Sequence, residues 1–259
     1  MPLKLSKNLR MTKMIKVYGE RNTNTNYLEK LIELNLAAKI APALAPRVIR
    51  RAQRILPGNE WLVDLYTSYS FDFDLGWKHA YVPTAERIKK TRVFKNNDIG
   101  FVTIVKNPYS WLLSLHRRPY HQYYSEKPDF VTFLQTPWKT VARDLADPVI
   151  AGPVELWNIK NAAYARLNDL NVIHTKTELI FENPERIIEQ IGKQFTIERK
   201  ASEFEDFQWS TKGTSHTASY YSDYYLNEKW KEELSQDAIA IINKKIDRSL
   251  MDQFGYELL

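Results

Sequence analysis

The sequence predicts an α/β protein: a parallel sheet flanked by helices. Three observations predict it. "KMIKVYGERNTNTNYLEKLIELNL" passes from a strand pattern, through a polar turn, into a helix pattern. "IGFVTIVKNP" is a continuous apolar run closed by Asn-Pro and followed by "YSWLLSLHRR", with helical spacing; a strand buried on both faces reads this way. "NVIHTKTEL" repeats the scheme, and "NPERIIEQIGKQF" opens the next helix with a proline. Strand and helix alternating in this manner place parallel strands side by side with helices on both faces.

Each element follows in order. "MIKVYG" is a strand, and "NYLEKLIELNLAAKI" is a helix by the spacing of Leu28, Leu31, Ile32 and Leu36. "APALAPRVIRRAQRILPG" is a short basic helix between proline turns. "DLGWKHAYVP" is expected to be a short strand that leaves into a loop. Residues 120–152 begin aromatic and Pro-rich, "YHQYYSEKPDFVTFLQTPW", and are expected to continue into a polar helix. "PVELWNIKNAAYARLNDL" is helical, and the segment from "YYLNEKWKEEL" to "FGYELL" supplies one or two closing helices.

A chain of 259 residues with 44% hydrophobic content suits one core. The 26% charged and 13% aromatic fractions argue against disorder. Cysteine is absent, which excludes disulfides and thiolate metal sites. A net charge of +6 fits either a solvated basic surface or an anionic partner. The N-terminal "MPLKLSKNLRMTKM" lacks the apolar core of a secretory signal. No apolar run reaches the length of about 18 residues that a membrane-spanning helix needs. A cytoplasmic location is the expectation.

The chemistry concentrates at "GERNTNTN", where the first strand hands over to the first helix. A helix start presents free backbone N–H groups and the positive end of the helix dipole, and so binds phosphate. Gly19, Glu20, Arg21, Asn22, Thr23, Asn24, Thr25 and Asn26 make up the turn. Its hydroxyls, amides and guanidinium suit anionic oxygens, although one of the Asn or Thr residues alone would cap the helix. The turn lacks the second Gly and the Lys of a Walker A sequence. Three further segments point the same way: "IVKNPYSWLLS" with Lys106 at a strand end and Ser114 in the next helix, "GWKHAYVP" with Lys78 and His79, and "STKGTSH" with Lys212 and Gly213. Ligands of open α/β sheets bind at carboxyl strand ends.

These segments, in this order, resemble the PAPS-dependent sulfotransferases, whose fold is related to the P-loop nucleotide-binding domains. "GERNTNTNYL" is similar to the loop that grips the 5′-phosphosulfate, with Gly19 and Thr25 retained. "VKNPYSWLLS" is similar to the strand and helix that grip the 3′-phosphate, with Lys106 in the place of an Arg and Ser114 in that of the Ser. "WKHAYVP" resembles the segment carrying the catalytic base of the cytosolic members. "HTKTELIFENPERIIEQI" and "FGYELL" resemble the later strand–turn–helix and the C-terminal ending. Asn22 stands where the family has a basic residue, with Arg21 one place earlier, and Asn24 stands where it has Gly.

The resemblance implies a single domain over 1–259, with 117–155 as an acceptor-site insertion, and a P-loop NTPase-like sulfotransferase fold. It implies transfer of sulfonate from PAPS (3′-phosphoadenosine 5′-phosphosulfate), leaving 3′,5′-ADP, without a metal. His79 would be the general base, with Lys78 and Arg21 as catalytic cations. The turn from Gly19 to Asn26, with Lys106, Ser114, Lys212 and Gly213, would hold the nucleotide. Arg117, Arg118 and Tyr120 of "HRRPYHQYYSEKPDF" would line the acceptor site, which suits a small molecule or a glycan, carbohydrate first. No nucleic acid partner is expected. The residues alone leave other readings open. Lys78 can face solvent, Ser114 can bond back to its own helix, and Lys212 can be a solvated loop residue. A nucleotide-dependent kinase and a non-catalytic polyanion-binding module are the rival functions.

Overall fold

The computed structural model describes residues 12–53, 55, 60–207 and 217–259. The chain first forms β1 (Thr12–Gly19), α1 (Thr25–Asn35), β2 (Lys39–Ile40), α2 (Arg47–Gln53), α3 (Trp61–Asp74), α4 (Ala85–Lys90), α5 (Arg92–Asn96) and β3 (Asn97–Val105). There follow α6 (Pro108–Arg117), α7 (Phe130–Gln135), β4 (Trp138–Lys139), β5 (Val149–Ile150), α8 (Pro153–Ala165) and β6 (Val172–Lys176). Last come α9 (Thr177–Glu182), α10 (Pro184–Phe195), α11 (Ala218–Leu226), α12 (Gln236–Lys245) and α13 (Arg248–Gln253).

The central sheet has the order β2–β1–β3–β6, and each pair is parallel. This is the α/β architecture that the alternating pattern predicts. Ile15 and Val17 of β1 and Val102 and Ile104 of β3 pack with Leu28, Leu31 and Ile32 of α1 and Ile188 and Ile191 of α10. Tyr18, Phe101 and Val105 join a second cluster with Trp111 and Leu112 of α6 and Trp157 of α8. Both faces of β3 are covered, so its sequence is a run of apolar residues instead of an alternation. Each fully buried side chain of this size contributes about 1.5–3 kcal/mol.

Three local expectations are corrected. The first helix stops at Asn35, and Lys39–Ile40 instead forms the edge strand beside Met14 and Ile15. The Asn35 side chain bonds Leu31 O and both polar backbone groups of Glu205, which turns the chain outward. "DLGWKHAYVP" holds no strand, because Leu75 (φ 63°) and Gly76 (φ 71°) are both left-handed and end α3 in a turn. The helix of the aromatic segment is α7 within its apolar part; the polar stretch after it holds the β4–β5 pair and a 3-10 turn at Ala142–Asp144. The C-terminal segment supplies two α-helices, α12 and α13, as expected, after the last turn of α11.

The strand ends are level: Gly19 lies opposite Ile104, and Val105 opposite Lys176. The turns after β1, β3 and β6 therefore leave from one edge of the sheet. Thr177 Oγ1 donates to Thr23 O across that edge at 3.0 Å.

Candidate active site

Gly19 ends β1 against Ile104, where a Cβ would collide with the Ile104 side chain and stand 2.9 Å from its carbonyl oxygen. The close approach needs glycine. Asn22 (φ 66°) and Asn24 (φ 63°) then take left-handed backbone, which Asn tolerates better than other non-glycine residues. Thr23 Oγ1 donates to Glu20 O at 2.6 Å, so one hydroxyl of the turn shapes it. Asn24 is the N-cap of α1 but makes no side-chain cap. The helix start is thus left uncapped where N–H groups have no intrahelical acceptor.

Arg21 is buried, its guanidinium 4.5 Å from the Trp77 ring centre and 5.3 Å from that of Tyr120. Trp111 Nε1 donates to Arg21 O at 2.8 Å and fixes its backbone. Two donors of the turn are buried without a hydrogen-bond partner among the described residues, Arg21 Nη2 and Asn24 Nδ2. Orphaned buried donors are costly unless a ligand acceptor meets them. A phosphosulfate oxygen is such an acceptor, so the turn fits the group that the resemblance implies. Glu20 faces inward: its Oε1 accepts from Arg21 N at 2.7 Å and its Oε2 lies 3.4 Å from Lys160 Nζ. A carboxylate repels phosphate, so Glu20 serves the turn as a buried counter-charge.

His79 is carried by the segment after α3, and β1 staples that segment in place. The buried Lys16 Nζ donates to three carbonyls, Pro42 O (2.9 Å), Asp74 O (2.7 Å) and Gly76 O (2.5 Å). Tyr18 OH donates to Leu75 O at 2.8 Å, and Gly19 N to Lys78 O at 3.0 Å. The His79 ring meets Gly19 O through Nδ1 at 2.5 Å. A carbonyl only accepts, so Nδ1 carries the proton and Nε2 keeps its lone pair. Nε2 has no hydrogen-bond partner among the described residues. Burial holds this imidazole well below its usual pKa, and the Lys78 and Arg21 charges add to the effect. His79 is a neutral ring with its basic nitrogen uncommitted, although it sits beside the end of β1 in a turn and not at the end of its own strand.

Lys78 points elsewhere. Its buried Nζ bonds Asn26 Oδ1 and Glu29 Oε2, both at 2.5 Å, and ties the His79 segment to α1. Thr25 opens α1, and its Oγ1 makes no hydrogen bond among the described residues.

Lys106, just past β3, is fully buried. Its Nζ donates to Ser114 Oγ at 2.9 Å and Tyr225 OH at 2.8 Å, and lies 4.0 Å from the Tyr225 ring centre. Ser114 in turn donates to Ser110 O at 2.9 Å. Burial lowers the Lys106 pKa to about 7; Glu178 opposes the shift and Arg117 adds to it. Glu178 accepts from Asn107 N (3.0 Å) and Tyr256 OH (2.9 Å), tying the start of α6 to the C-terminal segment. The turn after β1 and helix α6 meet through Asn22, whose Nδ2 donates to Ser114 O at 3.4 Å and whose Oδ1 accepts from Tyr120 OH at 3.3 Å.

Of the expected acceptor residues, Tyr120 joins the Arg21 cluster. Arg117 pairs with Glu233 and donates to Tyr224 OH at 2.9 Å, toward α11. Arg118 is exposed, with no side-chain partner among the described residues. Lys212 and Gly213 lie outside the described residues.

The structure adds residues that the sequence did not single out. Lys160 of α8 is fully buried, and its Nζ donates to His79 O at 2.6 Å and Asp144 Oδ1 at 2.7 Å. Burial alone would raise the Asp144 pKa, but Lys160 and Arg21 bring it down to about 2. Lys160 occupies the apolar stripe of Leu156, Trp157, Ala163 and Tyr164, and a lone Lys in such a stripe was a legible signal. Arg143 lies 4.6 Å from the Trp77 ring centre and pairs with Glu60 and Asp64 of the α3 region.

No protein-family model and no curated protein matches the chain. Among solved structures, it is similar to a sulfotransferase domain from the curacin biosynthetic pathway, with a TM-score of 0.46 and 10% identity over 96% of this chain and 99% of that one.

Proposed function

We propose that the protein is a PAPS-dependent sulfotransferase that transfers sulfonate to a hydroxyl or amine acceptor, carbohydrate first. One observation carries the reading. The polar turn after β1, a neutral His79 and the Lys106–Ser114 pair converge on one sheet edge, linked by Asn22. PAPS, when bound, supplies an activated sulfonate on a phosphate leaving group. Arg21, Asn24 and the α1 start would hold its 5′ end, and Lys106 with Ser114 its 3′-phosphate. Catalysis of such transfers is positioning plus stabilisation of developing negative charge. The buried Arg21 suits that task because its guanidinium is always charged and retains an unused donor. His79 Nε2 takes the acceptor's proton, and Lys160 and β1 hold the ring in place. Tyr120, beside Arg21, offers a face on which a sugar ring stacks.

The test is thermal unfolding with 3′,5′-ADP, AMP, ATP and heparin side by side, since a ligand of the native state raises the melting temperature by mass action. The reading expects the largest rise with 3′,5′-ADP. Equal rises with 3′,5′-ADP and AMP would remove the 3′-phosphate seat. Selective stabilisation by ATP supports a kinase, and by heparin a polyanion binder.

A further inference from the structure

Helix α3 divides its residues by chemistry. Its inner side is occupied: Asp64 pairs with Arg143, and Ser70 and Asp74 are buried. Its outer side carries Trp61, Leu65, Tyr69 and Phe73, which recur every fourth residue and so share one face. They are 48%, 62%, 77% and 51% exposed and lie side by side, whereas ordinary exposed hydrophobes are scattered singly. At 1.5 Å per residue the stripe is about 18 Å long.

Positive charge lies at both ends. Helix α2 packs at the start of α3, where Gln53 Oε1 accepts from Leu62 N at 3.0 Å. It carries Arg47, Arg50 and Arg51, all exposed, and beside them Val48 is 75% exposed. At the far end, the Arg92 guanidinium is 5.6 Å from the Phe73 ring centre and Arg87 is 4.7 Å from that of Phe71, with Lys90 exposed nearby. The acidic residues there are Asp72, already paired with Arg92, and the exposed Glu86.

We infer that this face docks the protein on the surface of an anionic lipid bilayer. An apolar stripe between basic ends meets both parts of such a surface. Leu65 and Phe73 enter the boundary of the acyl chains, Trp61 and Tyr69 sit at headgroup level, and the arginines meet anionic headgroups. A second copy of the chain fits less well. Whether two α3 stripes pack parallel or antiparallel, basic ends face basic ends, and like charges across an interface are repulsive. The inference is independent of the proposed reaction.

The experiment is co-sedimentation of the full chain with phosphatidylcholine vesicles, with and without about one third phosphatidylserine. The chain is expected to sediment with the phosphatidylserine vesicles at low salt and to be released as salt rises. The double variant Leu65→Ser/Tyr69→Ser should bind about ten-fold or more weakly, from lost apolar burial. Arg47→Gln/Arg51→Gln should lose a similar factor, at about one kcal/mol per basic residue. Both pairs are exposed, so thermal unfolding should not move. Absence of binding to anionic vesicles overturns the inference, as does full binding by the Leu65/Tyr69 variant. Self-association that the Leu65/Tyr69 variant abolishes, without vesicle binding, overturns it in favour of a second copy. Capture of an acidic protein in place of vesicles overturns it in favour of that partner.

Discussion

The two proposed anion seats at the sheet edge, the turn after β1 and the Lys106–Ser114 pair after β3, are built on the same plan, strand then turn then helix, yet they stand in opposite states. The turn after β1 keeps donors unspent: although Arg21 Nη1 lies 3.6 Å from Glu20 Oε1, Arg21 Nη2 and Asn24 Nδ2 are buried without hydrogen-bond partners among the described residues, and α1 has no side-chain cap. The seat after β3 is closed on itself. Lys106 is shared between Ser114 and Tyr225, the Ser114 hydroxyl donates its hydrogen bond to Ser110 O, and α6 is capped by Asn107, whose Oδ1 accepts from Tyr109 N at 3.1 Å. The first seat gains by accepting an anion, because Arg21 Nη2 and Asn24 Nδ2 have no hydrogen bond to lose. The second must exchange existing bonds for new ones, and its cation must first be charged. Affinity and selectivity are thereby expected to divide between the seats, the first giving binding and the second giving the distinction between 3′,5′-ADP and AMP.

The largest effect isolates the chemistry that lies between the seats. His79→Ala should lower sulfonate transfer by about 10²- to 10⁴-fold, the usual contribution of a general base, and leave 3′,5′-ADP affinity nearly intact. Steady-state turnover and a nucleotide titration measure the two quantities. Its pH dependence has a definite sign. The His79 pKa is depressed, so the base form persists below the ordinary histidine value, and the acid limb of kcat/KM should lie under about 6.5. Turnover that is near normal in His79→Ala would falsify the assignment.

The comparison itself breaks on two substitutions. Arg21→Ala removes a buried guanidinium from the open seat. Charge-assisted hydrogen bonds are worth about 1.5–3 kcal/mol, so affinity for both 3′,5′-ADP and AMP should fall about ten-fold or more. Lys106→Ala should instead weaken only 3′,5′-ADP and equalise the two nucleotides. A uniform loss in both variants would show that the seats do not divide the task.

Proton linkage sharpens the same contrast. With its pKa near 7, Lys106 is largely neutral at pH 8. An adjacent phosphate favours the ammonium and raises that pKa, so the complex takes up a proton. Calorimetry at pH 8 in buffers of different ionisation enthalpy should find uptake approaching about one proton with 3′,5′-ADP and little with AMP. In the free protein the unfolded state binds more protons than the folded state between about pH 7 and 10.5, so Lys106 makes stability rise with pH across that window. Equal uptake with both nucleotides would place the titrating group outside the second seat.

The sequence made β1, β3 and β6 legible because their apolar runs reflect coverage on both faces, a local property of each strand. Gly19, Arg21, Lys106 and His79 were legible because each stands at a junction between periodic segments, whereas Ser114, inside α6, was singled out by its spacing from Lys106 and by the resemblance. The conformation of the His79 segment was not legible. "DLGWKHAYVP" has a strand-like alternation, but it comes from tethering: Lys16 grips the Asp74 and Gly76 carbonyls, and Leu75 and Gly76 are left-handed. Such contacts join positions far apart in sequence, and no periodicity encodes them. Lys160 stood out in the apolar stripe of α8, but its partners Glu20 and Asp144 were hidden for the same reason, and so was Tyr225, one tyrosine among several in "ASYYSDYYL".

Tyr225 gives the smallest and most discriminating prediction. Its hydroxyl accepts one Lys106 proton at 2.8 Å, and its ring lies under the same ammonium. Tyr225→Phe keeps the ring and removes the competitor for that donor. A hydrogen bond to a charged group contributes about 1.5–3 kcal/mol when made, but here a phosphate oxygen would replace the hydroxyl, so the net change is smaller. The variant should be slightly less stable without ligand, because a buried donor loses its partner. It should bind 3′,5′-ADP a few-fold more tightly and AMP unchanged, since only the 3′-phosphate reaches Lys106. Isothermal titration with both nucleotides reads the difference. A ten-fold loss for 3′,5′-ADP would mean that the Tyr225 hydroxyl belongs to the seat as a ligand, and the second seat would then be preformed, not closed.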